Sequence, residues 1–139
     1  MEKKFIPAKD HPAFAMMSSV TGKPKKKAKQ SPTNALTDAI ISFVKLSGFQ
    51  AYRINTMGVF DEKLGRYRTS GMQKGLPDII AIIHGHFVGI EVKTGADRMS
   101  EDQLKRKAEI EKSGGAFIIA RNIDQCRNEL ITHINKFKG

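Results

Sequence analysis

The stretch Gly75–Thr94, GLPDIIAIIHGHFVGIEVKT, constrains this chain more than any other. Two short runs rich in Ile and Val, Asp78–His84 and Phe87–Lys93, flank a Gly-His pair. That pattern predicts a β-hairpin, with Gly85 at the first central position of a type II′ turn. A two-residue loop at Gly85-His86 pairs His84 with Phe87, Ile82 with Gly89, Ile80 with Glu91 and Asp78 with Lys93. Opposed residues share a face, as do residues two apart on one strand. Asp78, Glu91 and Lys93 therefore fall on one face at one end of the hairpin. Asp78 and Glu91 become diagonal neighbours, with Cβ atoms roughly 7–8 Å apart. Carboxylates so placed can reach a common Mg²⁺, whose oxygen ligands sit at about 2.0–2.1 Å. A loop of odd length would send the two acids to opposite faces.

A plainer reading stands beside this one. Asp78 can simply follow Pro77 at a strand start, with Glu91 and Lys93 facing solvent on an edge strand. Most other positions in both runs are apolar, however, which predicts a central hairpin covered on two faces. A Glu in that setting needs a partner or an ion.

Pro77-Asp78, twelve intervening residues and then Glu91-Val92-Lys93 resemble the signature of the PD-(D/E)XK nuclease superfamily. A wider set of segments narrows the resemblance: RINTMG at 53–58, GLPDII at 75–80, GIEVKTG at 89–95, and LKRKAEIEKSGGAFIIARN after Ser100-Glu101-Asp102-Gln103. Over roughly residues 33–125 the chain resembles the VRR-type (virus-type replication–repair) nuclease family. The resemblance implies an α/β fold of restriction-endonuclease type, a mixed sheet flanked by helices in αβββαβα order. It implies a metal-dependent endonuclease acting on DNA, selective for branched, flapped or junction structures, in replication, recombination or repair. Asp78, Glu91 and the Val92 carbonyl would hold Mg²⁺ or Mn²⁺. Lys93 would orient the attacking water or neutralise charge on the phosphate, and Gln103 would reach the site. A homodimer is a further expectation, since junction-cutting relatives pair two active sites. The alternative is an accessory protein that keeps the fold and binds nucleic acid without cutting it.

Charge supports an acidic partner. The chain of 139 residues carries a net +10, unevenly spread. Residues 1–31 hold eight Lys against two acids, whereas residues 32–139 hold sixteen Lys or Arg against twelve. With Pro7, Pro12 and Pro24 and no sustained periodicity, residues 1–31 read as a basic flexible arm, suited to non-specific phosphate contact. Residues 32–139 read as the nuclease domain. A single Cys126 excludes an internal disulfide and any multi-Cys zinc site. No apolar run is long enough for a membrane helix, and Pro7–Pro12 interrupts any signal peptide. The expected setting is the cytoplasm of a bacterial or phage-infected cell.

Along the chain, residues 33–47 read as a helix capped by Thr33 or Asn34, with Leu36, Ala39, Ile40, Phe43 and Val44 on its apolar stripe. The family's first helix often supplies an acid, and the loose match here is Asp38, with Thr37 or Asn34 as alternatives for that position; Asp38 reads better as an ordinary exposed helix acid. Phe49–Thr56 reads as a strand, on which the resemblance assigns Arg53 and Asn55 to phosphate. Residues 57–77 form a long Gly-rich connection carrying Arg66, Tyr67, Arg68 and Lys74, a clamp for nucleic acid or a solvated loop. Ser100-Glu-Asp-Gln103 is a capping box that opens a helix to Ser113. The same box gives Gln103 a local use that competes with a site role. Lys105 on that helix could track a phosphate backbone. Ala116–Ala120 reads as a buried strand, and Ile123, Cys126, Leu130 and Ile134 as the stripe of a last helix.

Overall fold

A computed structural model describes residues 29–54, 58–68 and 71–139. The basic arm expected over residues 1–31 lies almost wholly outside these, and Asn55 lies outside them too. Ser31–Gly139 forms one compact unit.

The elements run α1 (Pro32–Leu46), β1 (Gln50–Arg53), β2 (Phe60–Asp61), β3 (Arg66–Tyr67), β4 (Ile79–Ile83), β5 (His86–Val92), α2 (Glu101–Lys112), β6 (Ala116–Ala120) and α3 (Ile123–Phe137). The main sheet has the order β1-β4-β5-β6, antiparallel except for the β5–β6 pair, and is therefore mixed. The hairpin is central in it, as its apolar runs predict. The first helix begins one residue earlier than expected, at Pro32. Ser31, not Thr33 or Asn34, is the N-cap: its hydroxyl accepts the Asn34 N–H at 3.2 Å, and Pro32 occupies the first turn, where its missing donor costs nothing.

Strand periodicity divides the residues between two faces. Ala51, Ile79, Ala81, Ile83, Val88, Ile90, Val92, Ile118 and Ala120 all pack into one core with Ile40 and Val44 of α1 and Cys126 and Leu130 of α3. On α1 the buried positions are Thr37, Ile40 and Val44, and Ala39 is exposed, so the apolar stripe is rotated from the one expected. Thr37 is accommodated because its hydroxyl donates to the Thr33 carbonyl at 2.8 Å. Cys126 is fully buried, and burial pushes its thiol up to about 12, so it packs as a small apolar side chain. The opposite face carries Gly89, Glu91 and Lys93 and is flanked by α2, which buries none of its own residues completely.

The hairpin turn differs from expectation in a way that matters for the site. The loop is His84-Gly85, not Gly85-His86, and both residues have positive φ, 48° and 78°. That combination belongs to a type I′ turn rather than type II′. His84 holds the first central position with its ring edge-on to Phe49 at 4.8 Å. His86 becomes a strand residue stacked on Phe137 at 4.1 Å. The pairing moves by two residues, so Ile80 faces Gly89 and Ile79 faces Ile90. An even displacement leaves every side chain on its expected face. One further step of this register sets Asp78 directly opposite Glu91, where the expected register had set it opposite Lys93.

The connection over 57–77 also contains structure that its sequence does not announce. β2 and β3 form a separate two-stranded ribbon, with Phe60 opposite Tyr67 and Asp61 opposite Arg66.

Candidate active site

The site forms where the β4–β5 ladder gives way. The Asp78 carbonyl accepts the Ile54 N–H at 2.8 Å, continuing the pairing with β1. On the β5 side it is the Asp78 carboxylate, through Oδ2, that accepts the Val92 N–H at 2.9 Å. In an extended strand the N–H and C=O of one residue point to the same edge. The Val92 carbonyl thus shares the edge on which Asp78 lies.

Two close packings hold Asp78 in place. Pro77 is buried and lies over Gly89, where an added Cβ would meet the proline ring at 3.0 Å and Phe117 at 3.2 Å. Gly75, with φ of 82°, lies so close to the start of α2 that a Cβ there would come within 2.4 Å of the Asp102 backbone. The Arg106 guanidinium also donates to the Lys74 carbonyl at 3.2 Å. The loop leading into β4 is thereby fixed to α2, and so are Asp78 and Gln103 relative to each other.

Glu91 and Lys93 are 3% and 6% exposed, unusual for charged residues without partners. Lys93 Nζ lies 3.4 Å from Glu91 Oε1 and 3.6 Å from Asp97 Oδ2. Gln103 Nε2 donates to Glu91 Oε1 at 2.5 Å. The second carboxylate oxygen, Glu91 Oε2, is buried and has no hydrogen-bond partner among the described residues. Burial first, and the negative charge of Asp78 second, raise the Glu91 carboxyl to about 7, against the opposing pull of Lys93. A divalent cation between the two acids would remove both costs. An orphaned carboxylate oxygen, a facing acid and a backbone carbonyl are hard oxygen donors of the kind Mg²⁺ and Mn²⁺ take. Among the described residues no third acid, His or Cys completes a larger cluster around the pair.

The two readings of Gln103 prove compatible. Its Oε1 accepts the Ser100 N–H at 2.9 Å and its own N–H donates to the Ser100 hydroxyl, completing the capping box. Its Nε2 is left for Glu91. The amide has two ends, and each takes one task.

The remaining candidates divide. A cleft of about 470 Å³ is lined by Asp78, Glu91 and Gln103 together with Tyr67, Arg68 and Lys74. Arg68 is ion-paired with Asp61 at the base of the ribbon. Arg66 is exposed on the ribbon, and Lys105 is exposed on α2. Arg53 shares the face of buried Ala51, and its guanidinium donates to Asn34 on α1 at 2.6 Å and lies 4.0 Å from Asp38. Both Arg53 and Asp38 are thus engaged with each other at the helix layer. Asp97 is a contact that sequence reading missed. Its only signal was a position four residues beyond Lys93, in a turn whose course sequence does not reveal.

Neither a family model nor a curated protein sequence matches the chain. Among solved structures, a VRR_NUC domain protein aligns with a TM-score of 0.55 at 21% identity, covering 78% of this chain and 92% of its own. At that identity the likeness is one of fold: a mixed sheet flanked by helices, in the arrangement of that nuclease-type domain. No helix among the described residues is long and apolar enough to cross a membrane.

Proposed function

We propose that this chain, with its VRR_NUC-type fold, is a metal-dependent endonuclease that hydrolyses DNA phosphodiester bonds, selectively at branched, flapped or junction structures. The observation that carries the reading is the buried Glu91 carboxylate. It faces Asp78, holds Lys93 at one oxygen and leaves the other without a partner among the described residues. A protein that only bound DNA would gain nothing from an acid buried beside an incoming phosphate, because like charges repel.

Asp78, Glu91 and the Val92 carbonyl are the groups that would hold Mg²⁺ or Mn²⁺. Such an ion supplies Lewis acidity to the phosphoryl oxygen and lowers the pKa of a water. Lys93 brings the positive charge that the phosphate needs as negative charge builds on its oxygens, or orients the attacking water. Its ammonium is held from two sides by Glu91 and Asp97, which limits its rotamers before substrate arrives. Gln103 fixes the Glu91 carboxylate so that Oε2, and not Oε1, is presented. Lys74 and Arg68 on the cleft wall suit the flanking phosphates, and the Lys-rich residues 1–31 add a sequence-independent contribution.

The test is incubation of branched and linear DNA with wild type and Glu91→Gln, in Mn²⁺ or in EDTA. Cutting that needs the metal and vanishes in the variant supports the proposal. Binding without cutting, unchanged by metal, favours an accessory role instead.

A further inference from the structure

The β2–β3 ribbon presents a surface that the carboxylate chemistry does not use. Phe60 and Tyr67 face each other across it, rings edge to face with centroids 5.1 Å apart. They remain 49% and 64% exposed. Two-residue strands bury little apolar area, so their geometry must be held by other means. Asp61 does much of this. Its Oδ1 accepts the N–H groups of Lys63 and Leu64 at 2.9 and 3.2 Å, and its Oδ2 takes the Arg68 guanidinium. The Arg68 N–H then donates to the Val59 carbonyl at 2.9 Å. An aromatic pair left in solvent is thus held by polar ties from below. Tyr67 also lines the cleft that contains Asp78 and Glu91.

We propose that Tyr67, backed by Phe60, is a stacking platform for an unpaired nucleobase beside the phosphate bound at Asp78 and Glu91. Its surroundings select that occupant. Lys63, Arg66, Arg68 and Lys74 outnumber Asp61 and Glu62 across the connection, so the aromatic face sits in a cationic setting. A π face with excess positive charge around it suits a base whose flanking phosphates need neutralising. A base inside a duplex has both faces covered by its neighbours, so the platform accepts only one that has left the stack. The location of the phosphate rests on the nuclease reading; the stacking itself requires no catalysis.

The experiment uses the full chain carrying Glu91→Gln, in EDTA, so that nothing is cut. The probes are a flap duplex with 2-aminopurine at the first unpaired position and a fully paired duplex with 2-aminopurine at the same place. The chain has no Trp to compete for excitation. The expected result is a fluorescence change on binding the flap that disappears with an added Tyr67→Ala and survives Tyr67→Phe. Tyr67→Ala should weaken flap affinity by about tenfold and leave duplex affinity unchanged. A signal unaffected by Tyr67→Ala, equal losses on both probes, or no binding to either would overturn the platform. So would a Tyr67→Ala effect on oligomeric mass in place of one on DNA. Cutting by the wild type is scored separately: cutting without the fluorescence change sinks the platform alone, and the fluorescence change without cutting sinks the nuclease reading alone.

Discussion

Gln103 joins a helix start to the buried carboxylate of the candidate site: one end of its amide closes the capping box with Ser100, and the other donates to Glu91 at 2.5 Å. The two tasks can be separated by substitution. Gln103→Glu retains an acceptor for the Ser100 N–H, since Glu serves a capping box as well as Gln does. It replaces the donor facing Glu91 with a like charge. The cap should survive while DNA cleavage falls at least a hundredfold, and thermal stability should fall only as pH rises and both acids ionise. Gln103→Ala should lose both, with about 1 kcal/mol of stability gone with the cap. Melting curves and cleavage rates on the same preparations check this.

The raised Glu91 carboxyl makes the metal-free protein sensitive to alkali. A carboxyl near 7 when folded and near 4.5 when unfolded binds more protons in the folded state between those values. Its contribution is fully present below about 4.5 and is lost as pH rises through about 7. In EDTA, wild type should lose stability across that window relative to Glu91→Gln, by about 2–3 kcal/mol. With Mg²⁺ the sign should reverse, because an ion held by Glu91 would require the deprotonated acid and would bind less well as pH falls below about 7. Denaturant titrations at several pH values, with and without metal, measure both limbs.

Gly75 allows the loop before β4 to lie against the backbone at the start of α2. Gly75→Ala adds a methyl group 2.4 Å from the Asp102 carbonyl carbon at a positive φ. We expect a loss of about 1–3 kcal/mol and a larger fall in cleavage than the stability loss explains, since Asp78 and Gln103 are displaced relative to each other. Chemical denaturation beside cleavage assays at a temperature where the variant is folded separates the two effects.

Deleting residues 1–30 removes eight Lys and two acids and leaves Ser31 to cap α1. DNA affinity should fall and its dependence on salt should flatten, because fewer counterions are released. The cleavage rate at saturating DNA should stay within a few-fold. Affinity that is unchanged across a salt titration would remove this segment from the binding account.

Much of the hairpin geometry was legible because it depends on parity. Any two-residue tip keeps Asp78, Glu91 and Lys93 on one face, so a wrong choice of which two residues turn did not move a side chain across the sheet. The turn itself was misread because Gly85 suits either central position. Only packing of His84 on Phe49 and His86 on Phe137 decides between them. The Ser100–Gln103 box was legible because it is local. Arg53 was not, since its partners Asn34 and Asp38 come from an element that reaches it only through the tertiary fold. The ribbon escaped notice because two-residue strands leave no period to detect.

β5 puts Val88, Ile90 and Val92 into the hydrophobic interior while the alternate residues Gly89, Glu91 and Lys93 belong to the cleft side. Inserting or deleting a single residue in this strand would exchange the two sets downstream, sending charge into the core and aliphatic side chains towards the cleft. Scaffold and candidate site are written into the same six letters, Val88–Lys93, and no single-residue insertion or deletion upstream of them can shift one set without the other.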